Sequence, residues 1–524
     1  MRSCKSPTIM QKGSMELNKY RYCLLFFLLS VVLSFASCKQ DKMTIPIGED
    51  ESETIPIATE EDIVNAEHPL FTMERIQDGW MITGLTAEGA TALELTIPAH
   101  WQNTPVTRVG YLMSPTLRSL RTEEGANLTF DQRSIASMPE LTELVFQGEH
   151  ITVGESCFVD CPKLLAIQVV DGSEVSFGNA VMNGNQDPLY IMFLDNSRVS
   201  VGSQSFLKTG SLSLGKNASL SVDGNSFGEA GNLYLSEGAT LLAGDHSFGH
   251  ADGIVLEKGA SVQIGNYSFA EAESIDLMEN ASFTMGDYCL TKSEAGCRLN
   301  LGKGASLIGG SSCLGSIAAL SLDSGAKVDL GAKSLHAFGS AAMLTAEADT
   351  SLTIADESAV NFKMMTFNGN SAVQAGNRCF VGYSVTLSLT MGNSAQIQAG
   401  NGCFQNVGQL VLGDGCRLQA GDYAFAYSDT LSSVTLPRGF ELGEYAFAHS
   451  NKLTTIRLAD GFNDIASHSF FGCRSLSRAE VPATVTHIGG AAFKDTSDTL
   501  AIYGKSGSVA AYYAAENNIT FHEH

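Results

Sequence analysis

A small residue followed by a large apolar one recurs along most of this 524-residue chain at nearly constant spacing. The large residues are Phe158, Met182, Phe206, Phe227, Phe248, Phe269, Leu290, Leu314, Leu335, Val360, Phe380, Phe404, Phe425, Phe447, Phe470 and Phe493. The mean interval is about 22 residues and six intervals are 21. Two fainter units precede the series, anchored near Met113 and Ile135. A fixed period of about 20–29 residues is the signature of a solenoid, in which each unit buries its apolar face only against its neighbours. About eighteen coils stacked at roughly 4.8 Å make a rod on the order of 85 Å long.

Each unit holds two alternating apolar segments. Leu431-x-x-Val434-x-Leu436 is the first kind, repeated as Leu453-x-x-Ile456-x-Leu458, and as Ala230-x-x-Leu233-x-Leu235 in the middle units. The second leads into glycine, as in Ala260-x-Val262-x-Ile264-Gly265-Asn266. Alternation at period two predicts strands with one buried face. Gly before Asn or Asp suits a turn that needs positive φ. Two strands in 21 residues leave no room for a helix, so the centre should be an all-β coil. The terminal units of 22–23 residues leave room for one helical turn at Tyr445-Ala446-Phe447.

Composition agrees. Glycine is frequent (52 residues), charged residues are few (17%) and the apolar fraction of 44% suffices for a long core. The formal charge is −24. Without residues 1–37 it becomes −28, from 27 basic against 55 acidic residues. Such a chain repels phosphate backbones, so no nucleic-acid partner is expected.

Lys19 and Arg21 precede an apolar run from Leu24 to Leu33, too short to span a bilayer and suited to the core of a secretory signal. Met15 is an alternative start, because Met1–Ser14 adds nothing to that signal. Phe35-Ala36-Ser37-Cys38 resembles a bacterial lipobox, with Phe35 where Leu is usual. The resemblance implies a signal at 1–37, lipidation of Cys38 and an outer-membrane lipoprotein at the cell surface, held by acyl burial. The leaflet stays open. Residues 38–75 read as an acidic tether, with nine Asp or Glu between 39 and 70 and a repeated Thr-Ile-Pro-Ile at 44–47 and 54–57. Self-repelling sequence of this kind cannot bury enough to fold.

Ile465-Ala466-Ser467-His468-Ser469-Phe470-Phe471-Gly472-Cys473-Arg474-Ser475-Leu476 resembles the pattern I-G-x-x-A-F-x-x-C-x-x-L, which Ala479 to Phe493 continues. This is similar to the BspA-type leucine-rich repeat surface proteins. Leu95–Pro98 with Pro105–Gly110 resembles that family's opening unit, and Ile502–Ser508 with Asn518–Phe521 its closing unit. The resemblance implies a leucine-rich repeat solenoid over 76–507, closed by a cap at 508–524. It is strong at both ends, while the centre departs from it, with Gly-Ala turns and Ser before the Phe, toward the β-helix-like coil that the 21-residue spacing predicts. It also implies surface display and adhesion to host or bacterial proteins. Within the cap, 508–516 reads as a short helix with Ser506 or Ser508 as N-cap and Val509 and Tyr513 laid over the last coil.

Little else points to chemistry. Of the twelve cysteines, Cys4 and Cys23 leave with the signal, and Cys157, Cys289, Cys313, Cys379 and Cys403 share the place just before the anchor, which Ser or Ala fills elsewhere. Small buried side chains are expected there. A disulfide between Cys289 and Cys313, or Cys379 and Cys403, would join adjacent coils at a Cβ spacing of roughly 4.8 Å, beyond the usual 3.5–4.5 Å. There is no C-x-x-C pair and no H-E-x-x-H. Gly504-Lys505-Ser506 ends like a phosphate loop, but Thr499 stands where glycine is required. No cofactor or metal is expected.

A β-helical polysaccharide lyase or hydrolase would need acids clustered on outward places of adjacent coils. Those places read Thr435, Arg457 and Glu480 late, Tyr234, Val255 and Asp276 in the middle, and Asn300 and Ser321 beyond. No acidic cluster appears, so a non-enzymatic scaffold is favoured, engaging an extended protein or glycan through many weak contacts. The outward row holds no aromatic-and-arginine cluster, and Tyr234, Arg457 and Glu480 are its exposed candidates for ligand contact.

Overall fold

The computed structural model describes residues 67–182, 188–293, 296–339 and 341–524. The signal, Cys38 and the tether up to residue 66 lie outside the described residues. The body is a β-solenoid of about twenty turns, each contributing one strand to each of two parallel sheets. The first-strand sheet has fifteen members and continues as a further five. The register is strict. Leu233, Ile254, Ile275 and Leu299 stand opposite one another, and so do Leu241, Val262, Phe283 and Leu307 on the second sheet. All eight are buried, which is the one-sided burial that period-two alternation requires.

Between the sheets the anchor side chains form columns. Phe206, Phe227, Phe248 and Phe269 stack with centroids 5.2, 4.9 and 5.0 Å apart. A second column runs from Phe380 through Phe404, Phe425, Phe447 and Phe470 to Phe493. Leu290, Leu314 and Leu335 occupy the gap. The next anchor is Ala359 rather than Val360. Ala359 has φ 54° and its N–H bonds Ser334 O, repeating what Leu335 does with Cys313 and Phe380 with Ser358. At the start the anchor is Leu112, paired with Ile135, and Met113 is exposed.

Turn chemistry differs from the expectation. Gly265 does not have positive φ. A Cβ there would stand 2.2 Å from Asp245 Oδ1 and 2.6 Å from Asp245 N, so glycine is required by close approach of the preceding turn. The side chains after these glycines form a ladder. Asn266 N donates to Asp245 Oδ1 (2.7 Å), Asp287 N to Asn266 Oδ1 (2.8 Å) and Ser311 N to Asp287 Oδ1 (2.7 Å). Positive φ falls instead on the residues that follow, such as His246 and Phe248. Their N–H groups bond in opposite directions, His246 to Asn266 O of the next turn and Phe248 to Ser226 O of the last.

The terminal units contain no helical turn at Tyr445-Ala446-Phe447. Tyr445 (φ 58°) and His449 (φ 59°) are left-handed on either side of the anchor, and Phe447 N donates to Ser469 O of the following turn. The extra residue or two thus goes into a wider corner.

Both ends are closed. Phe71–Ile76 pairs antiparallel with Gly79–Leu85, which joins Thr104–Val109. Phe71 is buried, so the folded body takes in 71–75, the last residues assigned above to the tether. At the other end the helix Val509–Glu516 is capped by Ser508, whose Oγ accepts from Ala511 N. Tyr513 packs edge-on against Phe493 at 5.8 Å and accepts a hydrogen bond from its N–H. Strand Thr520–Glu523 then extends the first-strand sheet beside Ala501–Gly504.

Candidate functional site

The outward positions read from alternation form continuous rows. Tyr234, Val255, Asp276, Asn300 and Ser321 stand in register, and so do Thr435, Arg457, Glu480, Tyr503 and His522. Arg457 and Glu480 are brought into contact. Tyr234 is not: it lies ten turns away and its hydroxyl donates to the Glu257 carboxylate.

On the last turns these side chains make a compact polar cluster. Arg457 reaches Glu480 through Nε (2.5 Å to Oε2) and Nη2 (3.1 Å to Oε1). Arg478, on the same strand as Glu480 and two residues before it, adds Nε to Oε1 at 2.8 Å. Successive odd positions of a strand share a face, which puts both guanidiniums on one carboxylate. The Arg457 hydrogen bond, joined by that from Arg478, holds the Glu480 carboxyl below the usual carboxylate range against the opposing effect of its burial. The Arg478 guanidinium lies 3.7 Å over the Tyr503 ring, and His522 stacks on Tyr503 at 4.9 Å. An aromatic-and-arginine cluster is therefore present on this face, contrary to expectation. Arg478, Tyr503 and His522 were the residues missed. Carrying the Arg457-to-Glu480 interval one turn further finds Tyr503.

Two other outer features stand out. The second sheet carries a shallow trough of about 390 Å³ along five turns, lined by hydroxyls such as Ser200, Ser219, Ser221 and Thr240. At one corner, rings pile along the stack: exposed His246 on Tyr267 on Tyr288, and exposed Tyr423 on half-buried Tyr445 and His468. These rings face one another at 4.4–5.1 Å, so the faces within each pile are covered. His250 turns instead to Asp252 and Glu271, away from His246.

Among the described residues no three His, Cys, Asp or Glu side chains are grouped to hold a metal ion. The nine described cysteines are free thiols and buried. The five that precede an anchor form one column with serines; Ser268 Oγ donates to Gly244 O and Cys289 Sγ to Gly265 O. Burial raises Cys161 to about 11 and Cys297 and Cys473 to about 12. Cys289 and Cys403 are pushed up by the hydrogen bond shared with Cys313 and Cys379, and then by burial. Iodoacetamide at pH 8 will therefore leave Cys161, Cys297 and Cys473 unmodified in the folded chain and alkylate them after denaturation, as peptide mass mapping will show. The unfolded chain loses thiol protons near 9.0 while the folded chain keeps them, so this contribution to stability is present below 9 and is lost as pH rises toward 12. A midpoint in denaturant that stays flat across that window would contradict the assignment.

Residues 418–518 match, in six copies, the family described as BspA type leucine rich repeat region. No curated protein sequence matches the chain. Among solved structures it is similar to a leucine-rich repeat protein from Bacteroides ovatus, at 15% identity, covering 84% of this chain and 99% of that one with a TM-score of 0.34. It is also similar to a leucine rich cell surface protein from Faecalibacterium prausnitzii, at 16% identity, covering 86% and 96%, with a TM-score of 0.19.

Proposed function

We infer that this chain, a solenoid of BspA-type leucine-rich repeats, is a binding scaffold displayed at the cell surface, where it engages an extended protein of a host or a neighbouring bacterium without catalysing a reaction. The observation that carries this reading is the pair of outward strand rows, which run beside about twenty turns and are shaped as open faces. Such a surface suits a long ligand held by many contacts of modest strength. Lipid attachment at Cys38 and an outer-membrane address are supported by Phe35-Ala36-Ser37-Cys38. A glycan ligand is the second reading, favoured by the hydroxyl-lined trough on the second sheet.

The test is made on cells expressing the full chain. Proteinase shaving should remove it from intact wild-type cells, labelled palmitate should enter it, and Cys38→Ser should abolish labelling. Deletion should reduce attachment to immobilised host matrix proteins. Full protection from protease, or unchanged attachment with a panel of proteins and polysaccharides, counts against the reading.

A further inference from the structure

We propose that Arg457 and Arg478 form a recognition site for the carboxylates of an acidic polypeptide segment; this deepens, and rests on, the reading of the chain as a protein-binding scaffold. The cluster is not an ordinary surface ion pair. Elsewhere both partners share exposure, as with Arg121 and Glu143 at 39% and 34%. Here the arginines are 61% and 41% exposed above a glutamate that is 13% exposed. One carboxylate lies beneath two guanidiniums, so a positive charge is left at the surface. The adjacent outward positions, Thr435, Ser433, Thr455 and Ala501, carry no charge to cancel it.

The donors are also free. Glu480 occupies Nε of both arginines and Nη2 of Arg457, and Arg457 Nη1 and both terminal nitrogens of Arg478 have no partner among the described residues. A guanidinium fixed through Nε presents its outer edge as a planar fork, the geometry that pairs with a carboxylate. The acidic charge of the whole chain acts weakly here, because charges beyond about 8 Å are screened at physiological salt.

The ligand class follows from Tyr503. Its strand lies between those of Arg478 and His522, which cover opposite faces of the ring. No ring face is left for a sugar to stack on, so recognition falls to the two forks. An extended peptide presents side chains on one side at roughly 6.5–7 Å. Two acidic residues at that spacing can meet two forks on diagonal positions of neighbouring strands.

The probe is poly-L-glutamate titrated against the full chain at physiological salt. Wild type should bind, and Arg457→Gln and Arg478→Gln should each weaken binding about tenfold or more. Arg478→Lys, which keeps the charge and loses the fork, should also weaken it, and Thr435→Ala on the same row should not. Melting transitions matching wild type exclude misfolding as the cause. Absence of binding, or arginine variants that bind as wild type, overturns the proposal. Equal or tighter arginine-dependent binding of polygalacturonate overturns the choice of polypeptide. Wild type that fails to bind poly-L-glutamate but still attaches to matrix proteins sinks this site alone, whereas wild type that fails to attach to them sinks the scaffold reading.

Discussion

Phe248→Ala will destabilise the solenoid by about 3–5 kcal/mol, the range for removing a large buried aromatic ring. Phe248 is fully buried and stacked between Phe227 and Phe269, at interplanar angles of 6° and 16°. The lost ring leaves a cavity bounded by two rings whose strands are fixed in register above and below, so collapse is resisted. Because neighbour contacts alone hold the stack, the damage should be local. Guanidinium denaturation should show an early transition, and hydrogen exchange should accelerate across roughly 227–269 before it does at the ends. Tyr267→Ala is the comparison. That ring also stacks, on His246 and Tyr288, but is half exposed, so its removal should cost under about 1 kcal/mol. Equal losses from the two variants would mean that the buried column is not what holds the centre together.

Gly265→Ala is the second large effect, at about 3 kcal/mol. A methyl group there would meet Asp245 Oδ1 at 2.2 Å, Asp245 N at 2.6 Å and Gly244 C at 2.8 Å. The side-chain oxygen could rotate away, but the backbone atoms could not without opening the ladder between turns. The double variant with Asp245→Ala should therefore stay destabilised. Gly259→Ala separates this cause from backbone conformation. Gly259 has φ +66° and open space around it, so alanine there should cost only about 1–2 kcal/mol. Rescue of Gly265→Ala by Asp245→Ala, read as a restored denaturation midpoint, would place the conflict in the side chain instead.

The architecture was legible because its cause is periodic. Alternation in Leu233-x-Leu235 and Val262-x-Ile264 states which side is buried, and a 21-residue interval states that the next turn repeats it. The outward row Thr435, Arg457, Glu480 could be named for the same reason. What periodicity does not encode is the path of the corner. Phe248 and Phe269 adopt left-handed backbone (φ 54° and 45°), a conformation that bulky side chains seldom take, because their N–H groups are bound across turns. The same gap explains Val360: where residues 340–375 depart from the pattern, only the cross-turn hydrogen bond identifies Ala359 as the equivalent residue. Half of the arginine cluster was legible too. Arg457 and Glu480 share a repeat position, while Arg478 belongs to an adjacent row that alternation alone did not single out and Tyr503 was read as part of the closing unit.

The strict register has a consequence for ancestry. Since every turn meets only the one before and the one after, a tandem duplication or loss of a 21-residue block such as 228–248 would leave both closures and all surviving ladders intact. The length of the solenoid could then be tuned by recombination in increments of about 4.8 Å, while the arginine-bearing turns are carried along unchanged.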